Sequence, residues 1–260
     1  MSSDEENRSG REPTPHRRVL GLAAPIIGEN LLETMLGIVD TVLVARVGMA
    51  AIAGVGMGQQ LTFFVLSMLA ALSVGSSVLV AQAVGAADVA TAGRYARQSL
   101  LWSVILSVPL ALGGVLLAEP ILRVCGLEPE AHRIAVGFFQ VTMGTVVVLV
   151  ARIIAGGVLR GAGDSRTPMR VTAVANVLNI GLAYGLIYGH WGMPALGAVG
   201  SAWATFAARA VALLLILRPL WVGRGGVRLG GGGSWRPDVS VIRQVLSIGV
   251  PAAVERSSSC

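Results

Sequence analysis

Three long segments of the chain carry no charged side chain: residues 47–87, 98–118 and 171–208. A membrane-spanning helix needs about 20 consecutive, mostly apolar residues, and each segment holds at least one such length. Charged residues make up only 13% of the chain, about half of the ~25% typical of soluble domains. A soluble globule of this composition would lack the polar surface that it needs. The sequence therefore predicts an integral membrane protein.

Six spanning helices are predicted, which makes the fold all-α, a six-helix transmembrane bundle. The last uncharged segment is long enough for two spans, because residues 189–194 (GHWGMP) place turn-forming residues between them. The six spans are placed at about 19–44, 54–82, 96–118, 133–157, 169–189 and 194–217.

The placement of arginine orients this bundle, since the chain contains no lysine. With the N-terminus inside, fourteen arginines fall on inner segments, and only Arg46, Arg123 and Arg133 fall in outer loops. Positive residues concentrate on the cytoplasmic side of membrane proteins. We therefore expect a multi-pass protein of the cell inner membrane with a cytoplasmic N-terminus. Because these loops account for most of the net charge of +6, no nucleic-acid partner is predicted.

Four regions divide the chain: a disordered cytoplasmic N-terminus (1–18), a six-helix lobe (19–217), a flexible Gly/Arg-rich cytoplasmic linker (218–240) and the start of a second lobe (241–260). The fourth rests on an internal repeat. Residues 17–29, RRVLGLAAPIIGE, align without gaps to residues 243–255, RQVLSIGVPAAVE, with five identical positions. We expect a second, parallel copy of the six-helix unit to begin there. The missing second lobe is then the expected partner of this chain.

No signature of an enzyme is present. The sequence contains no HExxH, GxSxG or CxxC motif, and a lysine-dependent phosphate-binding loop cannot be written without lysine. Neither catalytic residues, nor a metal site, nor a cofactor is predicted.

Three carboxylates occupy the first span: Glu29, Glu33 and Asp40. At 100° per residue, Glu33 and Asp40 lie only about 40° and 20° from Glu29 around the helix. Ionisable groups in spans are costly and usually functional. Asp40, toward the outer side, is predicted to be an ion or proton site. Glu29 and Glu33 either line a polar cavity or bond backbone groups or arginines across the bundle.

Other polar residues lie at compatible depths. Taken alone, each side chain of this kind more often bonds a neighbouring helix than a ligand, but they are candidates to line the same interior: Gln59, Asn176, Asn179 and Thr205. Arg152 and Arg209, toward the cytoplasmic ends of their spans, are expected to snorkel or to pair with Glu29 or Glu33. Pro25 is a candidate hinge in the first span.

Several stretches resemble the multidrug and toxic compound extrusion (MATE) family. Residues 20–48, LGLAAPIIGENLLETMLGIVDTVLVARVG, resemble its first helix, and residues 158–171, VLRGAGDSRTPMRV, resemble its loop between helices four and five. ANVLNIGLAYGLIYG and GMPALGAVGSAWATF resemble helices five and six. The resemblance covers about 19–217 and the start of helix seven. It implies the first of two six-helix lobes.

The resemblance implies an antiporter in the membrane lipid that exports small organic, often cationic amphipathic compounds against inward flow of protons or sodium ions. The family's cation-site residues match Asp40, Asn179 and Thr205. The family often has a second aspartate where this chain has Ala183. Sodium prefers several oxygen ligands, whereas a lone buried carboxylate can load and release a proton. Proton coupling is therefore expected, with sodium as the second candidate.

Two alternatives stay open at this point. A flippase for lipid-linked saccharides would need more basic residues along its cavity than Arg152 and Arg209. A non-transporting, truncated remnant would explain why the apolar pattern of the seventh helix stops at the ending ERSSSC.

Overall fold

The structure, a computed structural model, describes residues 15–223, 226–230 and 235–257. These residues form nine α-helices and a short 3-10 turn at His190–Gly192, with no β-strand among them. The helices are α1 Pro15–Ala45, α2 Met49–Gly85, α3 Val89–Leu116, α4 Ala118–Arg123, α5 Pro129–Gly144, α6 Val146–Gly161, α7 Arg166–Tyr188, α8 Val199–Val222 and α9 Val239–Ser257.

Four helical segments of the described chain are long and apolar enough to cross a membrane: Met49–Ser67 within α2, and the whole of α3, α7 and α8. The bent pair α5 and α6 counts as a fifth if it forms one span. Helix α1 has 31 residues but carries three carboxylates, and it is not among these spans. The all-α membrane fold agrees with the sequence prediction.

The predicted fourth span, 133–157, is not one straight helix. Helices α5 and α6 meet at Thr145 with a bend of 52°. The Thr145 hydroxyl donates to the carbonyl oxygens of Val141 (2.8 Å) and Thr142 (3.2 Å), and Gly144 precedes it. A threonine bonded back to carbonyls of its own helix, next to a glycine, is a recognised cause of a kink.

Two predicted region boundaries differ from the structure. Residues 1–14 of the predicted disordered tail lie outside the described residues, but 15–18 belong to α1, where Pro15 suits the first position of a helix. At the other end, α8 runs past residue 217 to Val222. Of the predicted flexible linker, Val227 and Leu229 are packed into the core, at 0% and 2% exposure. Burial of these apolar side chains fixes the described part of the segment.

Helix α2 lies at the centre of the bundle and packs against α3, α5, α6 and α9, while α1 packs on α7 and α7 packs on α8. Small residues permit the close approaches: Gly54 and Gly58 of α2 face Ala131 and Phe138 of α5.

The end of the bundle where α1 begins is called the inner end below. Because α1 and α7 lie side by side and run in the same direction, their polar residues meet at matching depths.

Candidate functional site

The three carboxylates of α1 have different surroundings. The helix continues through Pro25, so Glu29, Glu33 and Asp40 lie along a single helix as the predicted stripe requires. Glu29 is buried, Glu33 is exposed and Asp40 is half-buried. The three carboxylates of the stripe therefore differ in how much solvent reaches them.

The two inner carboxylates form ion pairs with arginines of α6. Arg152 Nη2 lies 2.9 Å from Glu33 Oε1, which is one of the pairings that the sequence predicts. Arg160 Nη1 lies 3.0 Å from Glu29 Oε2. Arg160 was expected in the cytoplasmic loop rather than as a partner of Glu29. Because α1 and α6 run antiparallel, the earlier glutamate of α1, Glu29, meets the later arginine of α6, Arg160.

Thr172 of α7 joins these two ion pairs, a role that the sequence analysis did not predict. Its hydroxyl donates to Glu29 Oε1 at 3.4 Å and accepts from Arg152 Nη1 at 3.5 Å. Thr172 is only 3% exposed. The result is a continuous polar network that ties α1, α6 and α7 together in the inner part of the bundle.

Three hydrogen bonds between α1 and α7 fix the register of these helices. Thr172 bonds Glu29, the Asn176 amide donates to the Leu32 carbonyl (2.6 Å), and the Tyr188 hydroxyl donates to the Leu43 carbonyl (2.7 Å). The sequence offsets are 143, 144 and 145 residues. These nearly constant offsets place Asp40 level with residues 183–185 of α7. Asn176 thus bonds the backbone of α1.

The predicted coupling residues fall into two groups. The Asn179 amide donates to the Thr205 hydroxyl at 3.0 Å, which joins α7 to α8. By the register above, Asn179 lies about one helical turn nearer the inner end than Asp40. Buried Oδ1 of Asp40 has no hydrogen-bond partner within the described chain. Ala183, at the position where the family that this chain resembles often has a second aspartate, is fully buried.

Two further candidates, Arg209 and Gln59, lie in different surroundings. Arg209 of α8 lies close enough to Asp40, Glu33 and Arg152 to interact electrostatically with all three. Gln59 lies on an exposed part of α2, and the hydrogen bonds of the described residues do not connect it to α1.

The arrangement suits the handling of a single positive charge. Each inner glutamate already has a guanidinium within hydrogen-bond distance. Asp40 instead offers a carboxylate oxygen without a donor, and burial of such a group is costly until a proton or a cation reaches it. No group of three or more His, Cys, Asp or Glu side chains that could hold a metal ion occurs in the part of the chain that the structure describes.

These features define a class of protein. Membrane-length helices around an interior that contains ion pairs define an all-α, multi-pass membrane protein. The model of the MatE family matches residues 25–185. The chain belongs to this family.

Curated relatives resemble nearly the whole chain. The probable multidrug resistance protein NorM of Thermotoga maritima is 34% identical over 251 residues, which are 94% of this chain and 52% of the relative. The multidrug resistance protein PmpM of Pseudomonas aeruginosa is 31% identical over 92% of this chain and 50% of its own length. The chain thus spans about half the length of the curated relatives it matches.

Solved structures show the same relation. A crystal structure of a MATE protein in a bent conformation matches with a TM-score of 0.83 and 27% identity, over 95% of this chain and 54% of the other. A transporter of the MOP superfamily from Pyrococcus furiosus, described as having a binding pocket of reverse polarity, matches with a TM-score of 0.82 and 25% identity. That match covers 93% of this chain and 53% of the other.

Proposed function

We propose that this chain forms the first half of a secondary antiporter that exports organic, cationic amphipathic compounds from the cell in exchange for protons. It lies in the cell inner membrane with its N-terminus in the cytoplasm. The observation that carries the proposal is the buried Oδ1 of Asp40, which has no hydrogen-bond partner among the described residues. Membership of the MatE family and relatives named as multidrug resistance proteins support export as the activity.

Asp40 is the proposed coupling residue, with the bonded pair Asn179 and Thr205 one turn away as its polar surroundings. A proton on Asp40 would neutralise the buried carboxylate without any further ligand. A sodium ion would need several oxygen ligands at once. Ala183, level with Asp40, supplies a methyl group where a second carboxylate would serve a sodium site. This favours protons over sodium as the driving ion.

The ion pairs also favour the antiporter over a flippase for lipid-linked saccharides. A flippase cavity needs basic side chains that are available for a lipid phosphate. Arg152 is held by Glu33 at 2.9 Å, and Arg209 lies in the field of Glu33 and Asp40. Neither arginine offers an uncompensated positive charge to an anionic substrate.

The test uses everted membrane vesicles that carry this chain, energised to an acidic interior and monitored with a pH-sensitive acridine dye. Because the chain spans about half of its relatives, a fusion to the second half of the Pseudomonas aeruginosa relative is assayed in parallel. Addition of ethidium should release protons from vesicles with the unmodified chain, and Asp40→Asn should abolish the release. Glu119→Gln, an exposed carboxylate of helix α4, is the matched control and should behave like the unmodified chain.

The coupling ion is decided in the same vesicles by replacing the proton gradient with a sodium gradient. Unchanged ethidium-driven proton release in Asp40→Asn would refute the role of Asp40. Ethidium transport driven by sodium alone would refute proton coupling and leave the export activity standing.

A further inference from the structure

Arg209 of α8 is a half-buried arginine that neither inner ion pair uses. It lies one helical turn beyond Thr205, whose hydroxyl accepts a hydrogen bond from Asn179 of α7 at 3.0 Å. Because α7 and α8 run antiparallel, Arg209 is about level with residue 175 of α7. The offset between α7 and α1 then places it about level with Glu33 of α1 and the two residues before it.

Two carboxylates of α1 lie within the electrostatic reach of Arg209. Glu33 and Asp40 belong to the same stripe and are seven residues apart, which is about 10.5 Å along the helix. Arg209 is attracted by both carboxylates and is repelled by Arg152 of α6. The ion pairs of the described residues do not include Arg209. Its guanidinium is therefore shared between two carboxylates and is fixed to neither.

The helices that pack on α8 are α5, α6 and α7. Helices α5 and α7 carry charged side chains only within their first five residues, and those of α7 are exposed. Helix α6 supplies Arg152 and also Arg160, which Glu29 holds at 3.0 Å. Within the described chain, the charge on Arg209 therefore responds to Glu33, Asp40 and Arg152.

The charges of this interior balance only while Asp40 is ionised. Three carboxylates of α1 face three arginines of α6 and α8, and each glutamate takes one arginine of α6, at 2.9 and 3.0 Å. Ionised Asp40 compensates the third arginine, Arg209. A proton or an organic cation on Asp40 removes that compensation and leaves one positive charge in excess, which is costly away from water. Arg209 then has Glu33 as its remaining carboxylate.

The ion pair between Arg152 and Glu33 leaves room for such a change. It consists of one contact, from Arg152 Nη2 to Glu33 Oε1, rather than the two parallel bonds of a bidentate pair. The buried Nε of Arg152 has no partner in the described chain, and its bond to Thr172 is long, at 3.5 Å. The hydrogen bonds among the described residues use only Oε1 of Glu33. Its other oxygen can therefore accept a second guanidinium.

We propose that Arg209 is a positioning residue that transmits the charge state of Asp40 to the ion pair of Glu33. The inference rests on the proposed function, in which Asp40 carries the proton. While Asp40 is ionised, Arg209 is drawn toward it and the ion pair of Glu33 is intact. When a proton or an organic cation occupies this carboxylate, Arg209 turns toward Glu33 and competes there with Arg152. The contact that ties α6 to α1 then weakens, and Arg209 keeps its own proton throughout.

A double-mutant cycle on Glu33 and Arg152 measures this transmission without any transport. The complete chain is purified in mixed micelles and unfolded with increasing dodecyl sulfate, and Glu33→Gln and Arg152→Gln give the coupling between the two side chains. The cycle is repeated in Asp40→Asn, which imitates the neutral carboxyl group. Asp40→Asn should reduce the coupling by about half or more, because Arg209 then offers Glu33 a second partner.

Variants of Arg209 show whether this residue carries the effect. In Arg209→Gln the coupling should no longer depend on Asp40, whereas Arg209→Lys keeps the positive charge and should keep the dependence. Arg166→Gln removes an exposed arginine at the start of α7 and is the matched control, which should behave like the unmodified chain. The proposal is overturned if Asp40→Asn leaves the coupling of the unmodified chain unchanged, or if the dependence on Asp40 persists in Arg209→Gln.

The everted vesicles supply a second readout that a merely structural role would not move. Arg209→Gln should lower the rate of proton release at saturating ethidium, because the charge state of Asp40 no longer reaches the inner ion pair. It should also lower the half-saturating ethidium concentration about threefold or more, because a positive charge near Asp40 no longer opposes the cation. Arg209→Lys should restore both quantities. A lower rate in Arg209→Gln with an unchanged half-saturating concentration would count against the proposal.

The failure of this inference and the failure of the proposed function give different results. Proton release that persists in Asp40→Asn refutes the proposed function. Release that is lost in Asp40→Asn, together with a coupling of Glu33 that does not depend on Asp40, refutes only the role of Arg209. If Arg209→Gln loses its helical circular dichroism, the comparison of the unmodified chain with Asp40→Asn decides alone.

Discussion

The ion pair between Glu29 and Arg160 should contribute measurably to stability, and a double-mutant cycle tests this. The two side chains are 10% and 26% exposed, and their charged atoms lie 3.0 Å apart. At an effective dielectric constant of about 20, two unit charges at that separation attract each other by about 5.5 kcal/mol. Desolvation of both groups opposes most of this attraction.

Once the cost of desolvation is subtracted, a coupling energy of about 2 kcal/mol is expected between Glu29 and Arg160, which is typical of a hydrogen bond between charged groups. Glu29→Gln should cost about 3 kcal/mol, because Arg160 is left without a counter-charge. Arg160→Gln should cost about 2 kcal/mol, since Glu29 keeps its bond from Thr172. The double variant should cost about 3 kcal/mol rather than the sum of the two single costs.

Equilibrium unfolding in mixed micelles with increasing dodecyl sulfate, followed by circular dichroism, gives the four free energies of the cycle. The chain supplies its own control in Glu119 and Arg123 of α4, which lie 2.7 Å apart but are 61% and 74% exposed. Their coupling should be below about 0.5 kcal/mol, because water screens an exposed pair. A coupling for Glu29 and Arg160 no larger than that of the control pair would refute the reasoning.

Two further predictions concern α9 and its junction with α3. Gly75→Ala should destabilise the chain by about 1–3 kcal/mol in the same unfolding assay, because the new Cβ would overlap the Val245 carbonyl group of α9. Gly56→Ala, where nothing lies within 4 Å, should be neutral or slightly stabilising, and equal effects would contradict the close packing of α2 and α9. Hydrogen bonds from Ser240, together with Arg94, lower the pKa of Asp238 to about 2. Its contribution to stability is therefore complete above about pH 4 and is lost as the pH falls toward 2. Asp238→Asn should remove that part of the pH dependence of the unfolding midpoint, and an unchanged profile would count against it.

The general fold could be predicted because the bilayer imposes strong constraints on sequence. Uncharged segments as long as residues 171–208 can form only membrane helices, and the turn residues at 189–194 mark the break that the structure places at His190–Gly192. The bend at Thr145 could not be predicted in the same way. It depends on a hydroxyl that competes for carbonyl oxygens of its own helix, and most threonines in helices do so without a break.

The candidate site was predictable in its residue types and less so in its contacts. The stripe on α1 follows from helical periodicity alone. The partner of Glu29 does not, because a long arginine side chain reaches across the bundle from a residue that sequence places in a loop. The burial of Val227 and Leu229 was missed for a related reason: the glycines around them suggest flexibility, whereas the fold provides a core in which these two side chains pack.

The difference between Asp40 and the two glutamates lies in their neighbours and not in their chemistry. Glu29 and Glu33 each contact a guanidinium, so an arriving proton or cation would have to compete with a charge already in place. The Oδ1 atom of Asp40 accepts no hydrogen bond within the described residues, and Arg209 interacts with Asp40 only electrostatically, without an ion pair between their charged atoms. Asn179 and Thr205 bond each other about one turn nearer the inner end of the bundle. A proton or a monovalent cation is therefore stabilised more at Asp40 than at either glutamate. This supports Asp40 as the coupling residue and Glu29 and Glu33 as residues that hold the helices together.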